Sequence, residues 1–330
     1  MRILFPLVAV VVLIVIGVLG VGGAHLNVFF GVIIPYAALI TFLAGVVYRV
    51  VTWARSPQPF CIPTTAGQQK SLPWIKQDKL ENPSSTMHVI GRMFLEVFFF
   101  RSLFRNLKTE MTSDNKVVYG SAKWLWLAGL AFHYSFLVVL LRHIRFFAQP
   151  APFFLPVLEA LDGFLQIGVP RLFLTGVVLL AAVTYLLLRR LYIPQVRYIS
   201  LAADYFPLFL IMAIASTGIL MRYFLKTDVV GIKTLTMGLV TFHPVIPEGV
   251  GTIFYVHLLL VSVLFAYFPF SKLVHMGGVF LSPTRNLQAN SREFRYVNPW
   301  NYPVHVHTYE EYENDFRDKM KMAEIPVEKE

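Results

Sequence analysis

Charged residues are scarce in this sequence. Only 15 % of its 330 residues are Asp, Glu, Lys or Arg, and 56 % are hydrophobic, whereas soluble domains carry about 25 % charged residues. This balance indicates a membrane protein and excludes an ordinary soluble domain. The net charge of +10 does not indicate a nucleic-acid partner, because the basic residues are confined to particular loops and no nucleic-acid-binding module is visible.

Cysteine is nearly absent, since Cys61 is the only one. A single cysteine excludes an internal disulfide, a C-x-x-C-H covalent haem site and a cysteine-ligated iron–sulfur cluster within this chain. Any redox chemistry must therefore use another ligand set or a partner protein. The apolar segments also lack paired acidic residues, and no internal repeat is present, which argues against a transporter with a proton relay.

Long apolar runs are abundant by contrast. A spanning helix needs about 20 mostly apolar residues, and six stretches qualify: about 3–23, 28–52, 124–147, 172–191, 201–221 and 252–274. The first run is longer than the apolar region of a secretory signal, which is about 7–15 residues, so we expect an uncleaved anchor. The sequence predicts an all-α membrane protein with six transmembrane helices, located in the cytoplasmic (inner) membrane.

The basic residues predict its orientation. The connection 53–123 holds ten Lys and Arg, the link 189–198 holds three and the tail 279–330 holds seven, whereas 148–170 holds none. Because Lys and Arg accumulate on the cytoplasmic side, we place both termini, the 53–123 connection and the 189–198 link in the cytoplasm.

The 53–123 connection carries a second apolar pattern, "MFLEVFFFRSLFRNLKTEM", with Arg101, Arg105 and Lys108 interspersed. This pattern predicts an amphipathic helix. It would lie either on the inner membrane surface beside acidic lipid headgroups or packed only on protein. The predicted organisation is two N-terminal spans (1–52), this cytoplasmic connection (53–123), a four-helix membrane domain (124–278) and a cytoplasmic tail (279–330).

Four histidines stand in two of the spans. His133 and His143 are ten residues apart in one, and His257 and His275 are eighteen apart in the last. Eighteen residues are five helical turns, so a continuous helix would present both from one face, ~27 Å apart along the axis. Because the two spans run in opposite directions, His133 pairs in depth with His275 near the cytoplasm, and His143 pairs with His257 toward the outside.

Two antiparallel helices with one histidine each at two depths predict two bis-histidine haem sites. Two imidazoles fill both axial positions of a haem iron, which leaves electron transfer as its role. Tetrahedral zinc is excluded, because histidines this far apart on each helix cannot converge on one ion. The alternative is that the histidines serve helix–helix hydrogen bonding or proton movement.

Several charged residues near these histidines are further candidates. Haem propionates need cations, and these predictions are Arg142 and Arg145 for the outer haem and Lys272 and Lys123 for the inner one, with snorkelling at the interface as the alternative. A quinol site needs a proton acceptor. The outer loops offer Glu159, Asp162, His243 and Glu248, which we interpret as exposed loop residues. In the tail, His305 and His307 are spaced like a metal-binding fragment, although two ligands alone favour a solvated docking tail.

The paired histidine spacings over residues 120–280 resemble the cytochrome b gamma subunit of respiratory nitrate reductase, the NarI-like family. The resemblance implies a di-haem four-helix membrane domain with two haem b groups, His133 and His275 holding the cytoplasm-proximal haem and His143 and His257 the distal one.

The additional N-terminal span and the stretch "CIPTTAGQQKSLPWIKQDKLENPSSTMHVIGRMFLEVFFFRSLFRN" resemble, over nearly the whole chain, the DsrM family of cytochrome b subunits in DsrMKJOP complexes. That resemblance implies menaquinone or menaquinol as membrane substrate and a cytoplasmic iron–sulfur partner, DsrK. DsrJ, DsrO and DsrP would be further subunits, and the setting would be dissimilatory sulfur metabolism such as sulfate reduction.

Three classes of function remain open on the sequence. The first is an electron-transfer subunit of a quinone-linked oxidoreductase complex, of this type or of a nitrate reductase or heterodisulfide reductase type. The second is a membrane anchor in which the histidines serve packing only, and the third is a transporter with histidine proton relays. The first class alone predicts a b-type visible spectrum.

Overall fold

The computed structural model of the chain describes residues 2–56, 58, 60–62, 64, 67–294, 296 and 305–329. Its helices, in chain order, are α1 (Leu4–Val18), α2 (Ile34–Ala54), α3 (Thr86–Phe99), α4 (Arg101–Phe104), α5 (Lys123–His143), α6 (Leu155–Asp162), α7 (Leu174–Tyr192), α8 (Pro194–Ile199), α9 (Ala202–Ile219), α10 (Val229–Val240), α11 (Thr252–Tyr267), α12 (His275–Gly278) and α13 (Tyr309–Met322). Two short antiparallel strands, β1 (Leu107–Met111) and β2 (Val117–Ser121), form a hairpin that the sequence did not predict.

Six helical segments in the described part of the chain are long and apolar enough to cross a membrane. They are Leu4–Gly23, Phe29–Ala54, Lys123–Phe146, Leu174–Tyr192, Ala202–Phe224 and Thr252–Phe270. The predicted all-α membrane fold with six spans is therefore confirmed. The division into four domains and the placement of both termini in the cytoplasm stay predictions.

The last span is the centre of the bundle. Its helix α11 packs against α1, α2 and α9, while α5 packs on α7 and α7 on α9. In its most apolar 18-residue stretch 44 % of the residues are buried, against 17–28 % in the corresponding stretches of the other spans. Close approach depends on small residues, because a Cβ at Gly45 of α2 would lie 2.5 Å from Pro269. The remaining apolar surface of the spans faces outward, as expected of helices in lipid.

The last span does not continue as one helix to His275, so the expectation of a single straight helix was wrong. Helix α11 ends at Tyr267, a 3₁₀ turn covers Phe268–Phe270, and Ser271 is extended before another turn leads into α12. The physical reason is Pro269, which has no N–H to donate to the preceding turn. Arg49 donates from Nε to the Pro269 carbonyl at 2.7 Å, which satisfies one of the carbonyls that the broken helix releases.

The segment after α12 interlocks with the 53–123 connection. Ile62 donates its backbone N–H to the Pro283 carbonyl at 3.2 Å, Ala289 donates to the Pro83 carbonyl at 2.6 Å, and Arg92 donates to the Thr284 carbonyl at 3.3 Å. These contacts join two parts of the chain that are about 200 residues apart. The result is one folded layer beside the spans.

Candidate histidine pairs in the membrane

The four histidines form two pairs, one beside the middle of α5 and one at its C-terminal end. We call His133 and His275 the inner pair and His143 and His257 the outer pair, after the orientation that the basic residues predict. The ring centres are 5.9 Å apart in the inner pair, with planes at 84°, and 6.5 Å apart in the outer pair, with planes at 14°. The structure thus brings together the same partners that the spacing predicted, although α12 presents His275 from outside α11.

Each of the four rings has its Nδ1 engaged. In three of them Nδ1 donates to a backbone carbonyl: His133 to Gly129 at 2.8 Å, His143 to Val139 at 2.6 Å and His275 to Lys272 at 2.8 Å. His257 differs, because its Nδ1 lies 2.8 Å from the Thr217 hydroxyl on α9. That hydroxyl donates to the Ala213 carbonyl at 2.8 Å, so it accepts from the histidine. Engagement of Nδ1–H fixes the tautomer and leaves Nε2 free as a metal ligand.

The spacing of the rings fits an iron held between two imidazoles. With a metal–imidazole bond of ~2.0 Å and ~1.1 Å from ring centre to nitrogen, two opposed rings have centres about 6.2 Å apart. The observed 5.9 and 6.5 Å lie on either side of this value. Within the described part of the chain, no third His, Cys, Asp or Glu completes a metal-ligating group at either pair. Two opposed ligands suit a haem iron better than a tetrahedral ion.

Three of the four predicted propionate cations are paired with carboxylates. Arg142 lies 3.1 Å from Asp162, Arg145 lies 2.5 Å from Glu159 and Lys272 lies 2.7 Å from Asp204. Arg142 and Lys272 belong to the two ends of the bundle, as predicted. Lys123 stands over the Phe104 ring at 5.4 Å. Whether any of these cations holds a propionate stays a prediction.

Arg222 is a further cation near the outer pair, and no pattern in the sequence gave a reason to select it. Its guanidinium carbon lies 4.1 Å from the centre of the Phe173 ring, and that of Arg142 lies 3.9 Å from the same centre. Both arginines have a buried Nε without a hydrogen-bond partner among the residues that the structure describes. Among the described residues, Asp162 is the only carboxylate in ion-pair contact with Arg142. Two arginines and one carboxylate leave a surplus of positive charge beside the outer pair, and this surplus suits an anionic group.

Asp162 was wrongly interpreted as an exposed loop residue. It ends α6 and is 6 % exposed, because its carboxylate accepts from the Thr175 N–H at 2.8 Å and the Thr175 hydroxyl at 2.7 Å as well as pairing with Arg142. His243 fits the exposed interpretation, with Nδ1 2.8 Å from the Thr241 carbonyl. In the tail, Glu311 brings a third donor within 4.8 Å of His305 and His307, and all three side chains are exposed.

A cavity opens beside the outer pair. It has a volume of about 420 Å³, and its lining includes Arg145, Phe146, Gln149, Val230, Lys233 and Met237. The Phe146 ring centre lies 5.9 Å from that of His143. An apolar cavity with a few polar side chains is the ordinary form of a small-molecule site.

Taken together, the spans and the two intramembrane histidine pairs define a multi-pass helical membrane protein with two candidate metal-ligating sites. The chain belongs to the nitrate reductase gamma subunit family, whose model matches residues 88–292, a range that contains all four histidines. The protein is located in the cytoplasmic membrane.

Three relatives show how far the similarity extends. The chain is 47 % identical over 282 residues to the Hdr-like menaquinol oxidoreductase cytochrome b-like subunit of Archaeoglobus fulgidus, covering 83 % of this chain and 84 % of that one. It is 42 % identical over 274 residues to the same-named subunit of Archaeoglobus profundus, covering 81 % of each. To the respiratory nitrate reductase 1 gamma chain of Escherichia coli it is 34 % identical over 113 residues, covering 32 % of this chain and 50 % of that one.

Proposed function

We propose that this protein is a membrane cytochrome b subunit that oxidises menaquinol and delivers the electrons to a cytoplasmic iron–sulfur partner. The observation that carries the proposal is the pair of histidine sites at two depths, each with Nδ1 engaged and rings spaced to hold an iron. The two Archaeoglobus relatives, named as menaquinol oxidoreductase subunits, support the choice of substrate.

The inner pair would hold one haem b and the outer pair the other. When bound, the two haems supply one-electron carriers at two depths of the membrane. The chain's own contribution is to orient the ligands. Gly129, Val139 and Lys272 accept from Nδ1 through their backbone carbonyls, and Thr217 accepts through its hydroxyl.

The cavity beside the outer pair is the proposed menaquinol site. Oxidation of the hydroquinone to the quinone releases two electrons and two protons. Glu159 is the proposed proton acceptor, because its carboxylate is partly exposed and pairs with Arg145 of the cavity lining. Asp162 is less suited, since its oxygens are already engaged by Arg142 and Thr175.

The proposed partner is a DsrK-like iron–sulfur protein, with DsrJ, DsrO and DsrP as further subunits of a complex of the DsrMKJOP type. Electrons that reach the inner level need an acceptor, and Cys61 alone cannot build one. We propose the tail, including α13, as part of the docking surface. Deleting 305–330 should release the partner and leave the visible spectrum unchanged. Full partner stoichiometry after the deletion would remove the tail from the interface.

The test of the function has two parts. A reduced-minus-oxidised spectrum of the purified protein should show a b-type band with about two haems per chain. In vesicles of known orientation, with the partner and an electron acceptor present, menaquinol should then generate a membrane potential that a quinone-site inhibitor abolishes. Absence of haem would leave a non-redox anchor, and turnover without a potential would place quinol oxidation at the inner pair.

A further inference from the structure

Helix α3 is amphipathic, but it buries charged side chains and exposes large apolar ones. A helix at the surface of a soluble protein does the opposite. The side chains that it buries include the charged Arg92 and Glu96. The exposed ones are large and apolar: Met87, Ile90, Phe94 and Phe98, at 74 %, 56 %, 52 % and 48 % exposure. These four recur at intervals of three and four residues, so they form one stripe along the helix. Such a stripe is unfavourable in water.

Both buried charges make hydrogen bonds inside the protein, although Nε of Arg92 has no partner among the described residues. Arg92 donates to the Glu81 carbonyl at 2.6 Å, and Glu96 accepts from the backbone N–H of Ser102 at 3.2 Å and from the Ser102 hydroxyl. Arg101 and Arg105 pair with the Glu81 carboxylate. The polar face of α3 is therefore occupied by contacts with its own connection and, through Arg92, with the Thr284 carbonyl, whereas its apolar face is open to another surface.

The end of α3 is fastened to the side of a membrane span. The last carbonyls of a helix have no intrahelical partner, and here Phe98 accepts from the Tyr134 hydroxyl at 2.8 Å and Phe99 from the Trp126 indole N–H at 2.7 Å. Both donors belong to α5. Inside a bilayer no water is present to satisfy such carbonyls, so donors from a neighbouring helix are what a helix end requires there.

The depth of this contact follows from α5. Trp126 and Tyr134 are three and eleven residues beyond Lys123, so they lie about 5 and about 16 Å along the helix axis. The surface of α5 beside them is itself apolar and exposed, with Trp124 at 74 % and Leu127 at 48 %. Since these belong to a spanning segment, the end of α3 is bonded to a helix whose exposed surface at this level is suited to lipid.

The turn between α3 and α4 reaches the inner histidine pair. Phe100 has a φ of 50°, a left-handed conformation that is uncommon for a bulky residue. Its ring stands edge-on to His133, with centres 4.9 Å apart. Such strain persists only where surrounding contacts fix it, and here the Glu96–Ser102 bonds hold the turn.

We propose that the segment from Met87 to Phe104 is inserted into the inner leaflet of the membrane, where its apolar stripe contacts lipid acyl chains and Phe100 covers the lipid-facing side of the inner pair. The basic side chains at its end, Lys123 over the Phe104 ring and Arg105, lie where acidic headgroups begin. The segment is thus a membrane element of a connection that otherwise faces the cytoplasm.

The test is site-specific fluorescence quenching on the full chain in vesicles. Ile90→Cys, Phe94→Cys and Phe98→Cys replace exposed side chains, so each variant should fold, and each is labelled with an environment-sensitive fluorophore. Leu127→Cys is the matched control for lipid, and Lys116→Cys, in the turn between β1 and β2, is the control for water. The unaltered protein, with buried Cys61, gives the background.

Bromine atoms on the acyl chains should quench the three stripe labels as strongly as the Leu127→Cys label, and aqueous iodide should quench only Lys116→Cys. Quenching of the stripe by iodide and not by brominated lipid would overturn the proposal. If added iron–sulfur partner then removed that iodide quenching, the stripe would be a protein-docking surface, which also contradicts insertion in lipid. Neither result depends on haem, so the proposed function is tested separately.

Discussion

Replacing Thr217 by valine should raise the midpoint potential of the haem that we propose at the outer pair and leave that of the haem proposed at the inner pair unchanged. Valine has nearly the shape of threonine but no hydroxyl, so the change removes the acceptor that lies 2.8 Å from Nδ1 of His257, together with the bond from that hydroxyl to the Ala213 carbonyl within α9. His257 is the one member of the four whose Nδ1 depends on a side chain. The two histidines of the inner pair donate to backbone carbonyls, which the substitution does not touch.

The size of the effect follows from the hydrogen bond. A buried donor left without a partner costs about 1–3 kcal/mol. The bond is stronger when the iron is oxidised, because the added positive charge makes the Nδ1–H a better donor. We take about 1 kcal/mol of this bond energy to depend on the redox state of the iron. For a one-electron couple, about 1.4 kcal/mol corresponds to about 59 mV, so we expect the midpoint potential to rise by about 40 mV.

The assay is a potentiometric titration of the visible bands of the purified protein. Thr217→Ser is the matched control, because it keeps the hydroxyl and should keep the wild-type potential. An equal shift of both haems in Thr217→Val, or a shift in Thr217→Ser as large as in Thr217→Val, would refute the assigned role of the hydroxyl. Loss of the outer haem alone would show that Thr217 is needed to position the ligand at all.

Three further outcomes are expected. His143→Ala should lose the outer haem and His133→Ala the inner one, so that a pyridine haemochrome assay falls from about two haems per chain to about one; retention of two in each variant would contradict the paired sites. Asp162→Leu leaves Arg142 buried without its counter-ion and should destabilise the protein by about 3–5 kcal/mol in a denaturant titration, whereas Asp114→Leu, in the exposed hairpin turn, should not. Burial raises the pKa of the Cys61 thiol above its ordinary value, so its alkylation by a maleimide should be slower than that of Lys116→Cys at neutral pH and should accelerate as the pH rises. Because ionisation is disfavoured in the fold, the stability contributed by Cys61 is complete below its ordinary pKa and is lost as the pH rises through the raised value; equal alkylation rates for the two thiols would contradict the burial.

The spans and the histidine pairing could be predicted from the sequence because both are local patterns. A run of about 20 apolar residues is sufficient to identify a span, and the ten-residue and eighteen-residue spacings set the depth of each histidine. The break before His275 had a visible signal in Pro269, since proline interrupts a helix by removing a donor. His275 still lies beside His133 although the helix is broken, because the segment after Pro269 brings it to the same level of the bundle.

The supporting residues could not be predicted in this way. Thr217 is forty residues from His257 in the chain, and Arg222 meets Arg142 only through their shared contact with Phe173. No spacing rule relates such residues, because their contact depends on how α5, α7 and α9 pack. The same holds for α3, where the sequence shows an amphipathic pattern but not that Arg92 and Glu96 would find partners inside.

The break after Pro269 has a consequence for how the protein matures. The outer pair, His143 and His257, lies within spans, so the two side chains meet once those helices have been inserted and packed. His275 lies on α12, which is followed by the segment that binds Ile62, Pro83 and Arg92 of the much earlier connection. The inner pair would therefore be completed last, once the residues that close this layer have been made. A newly made chain would acquire its cofactors in a fixed order, from the outer face of the membrane toward the cytoplasm.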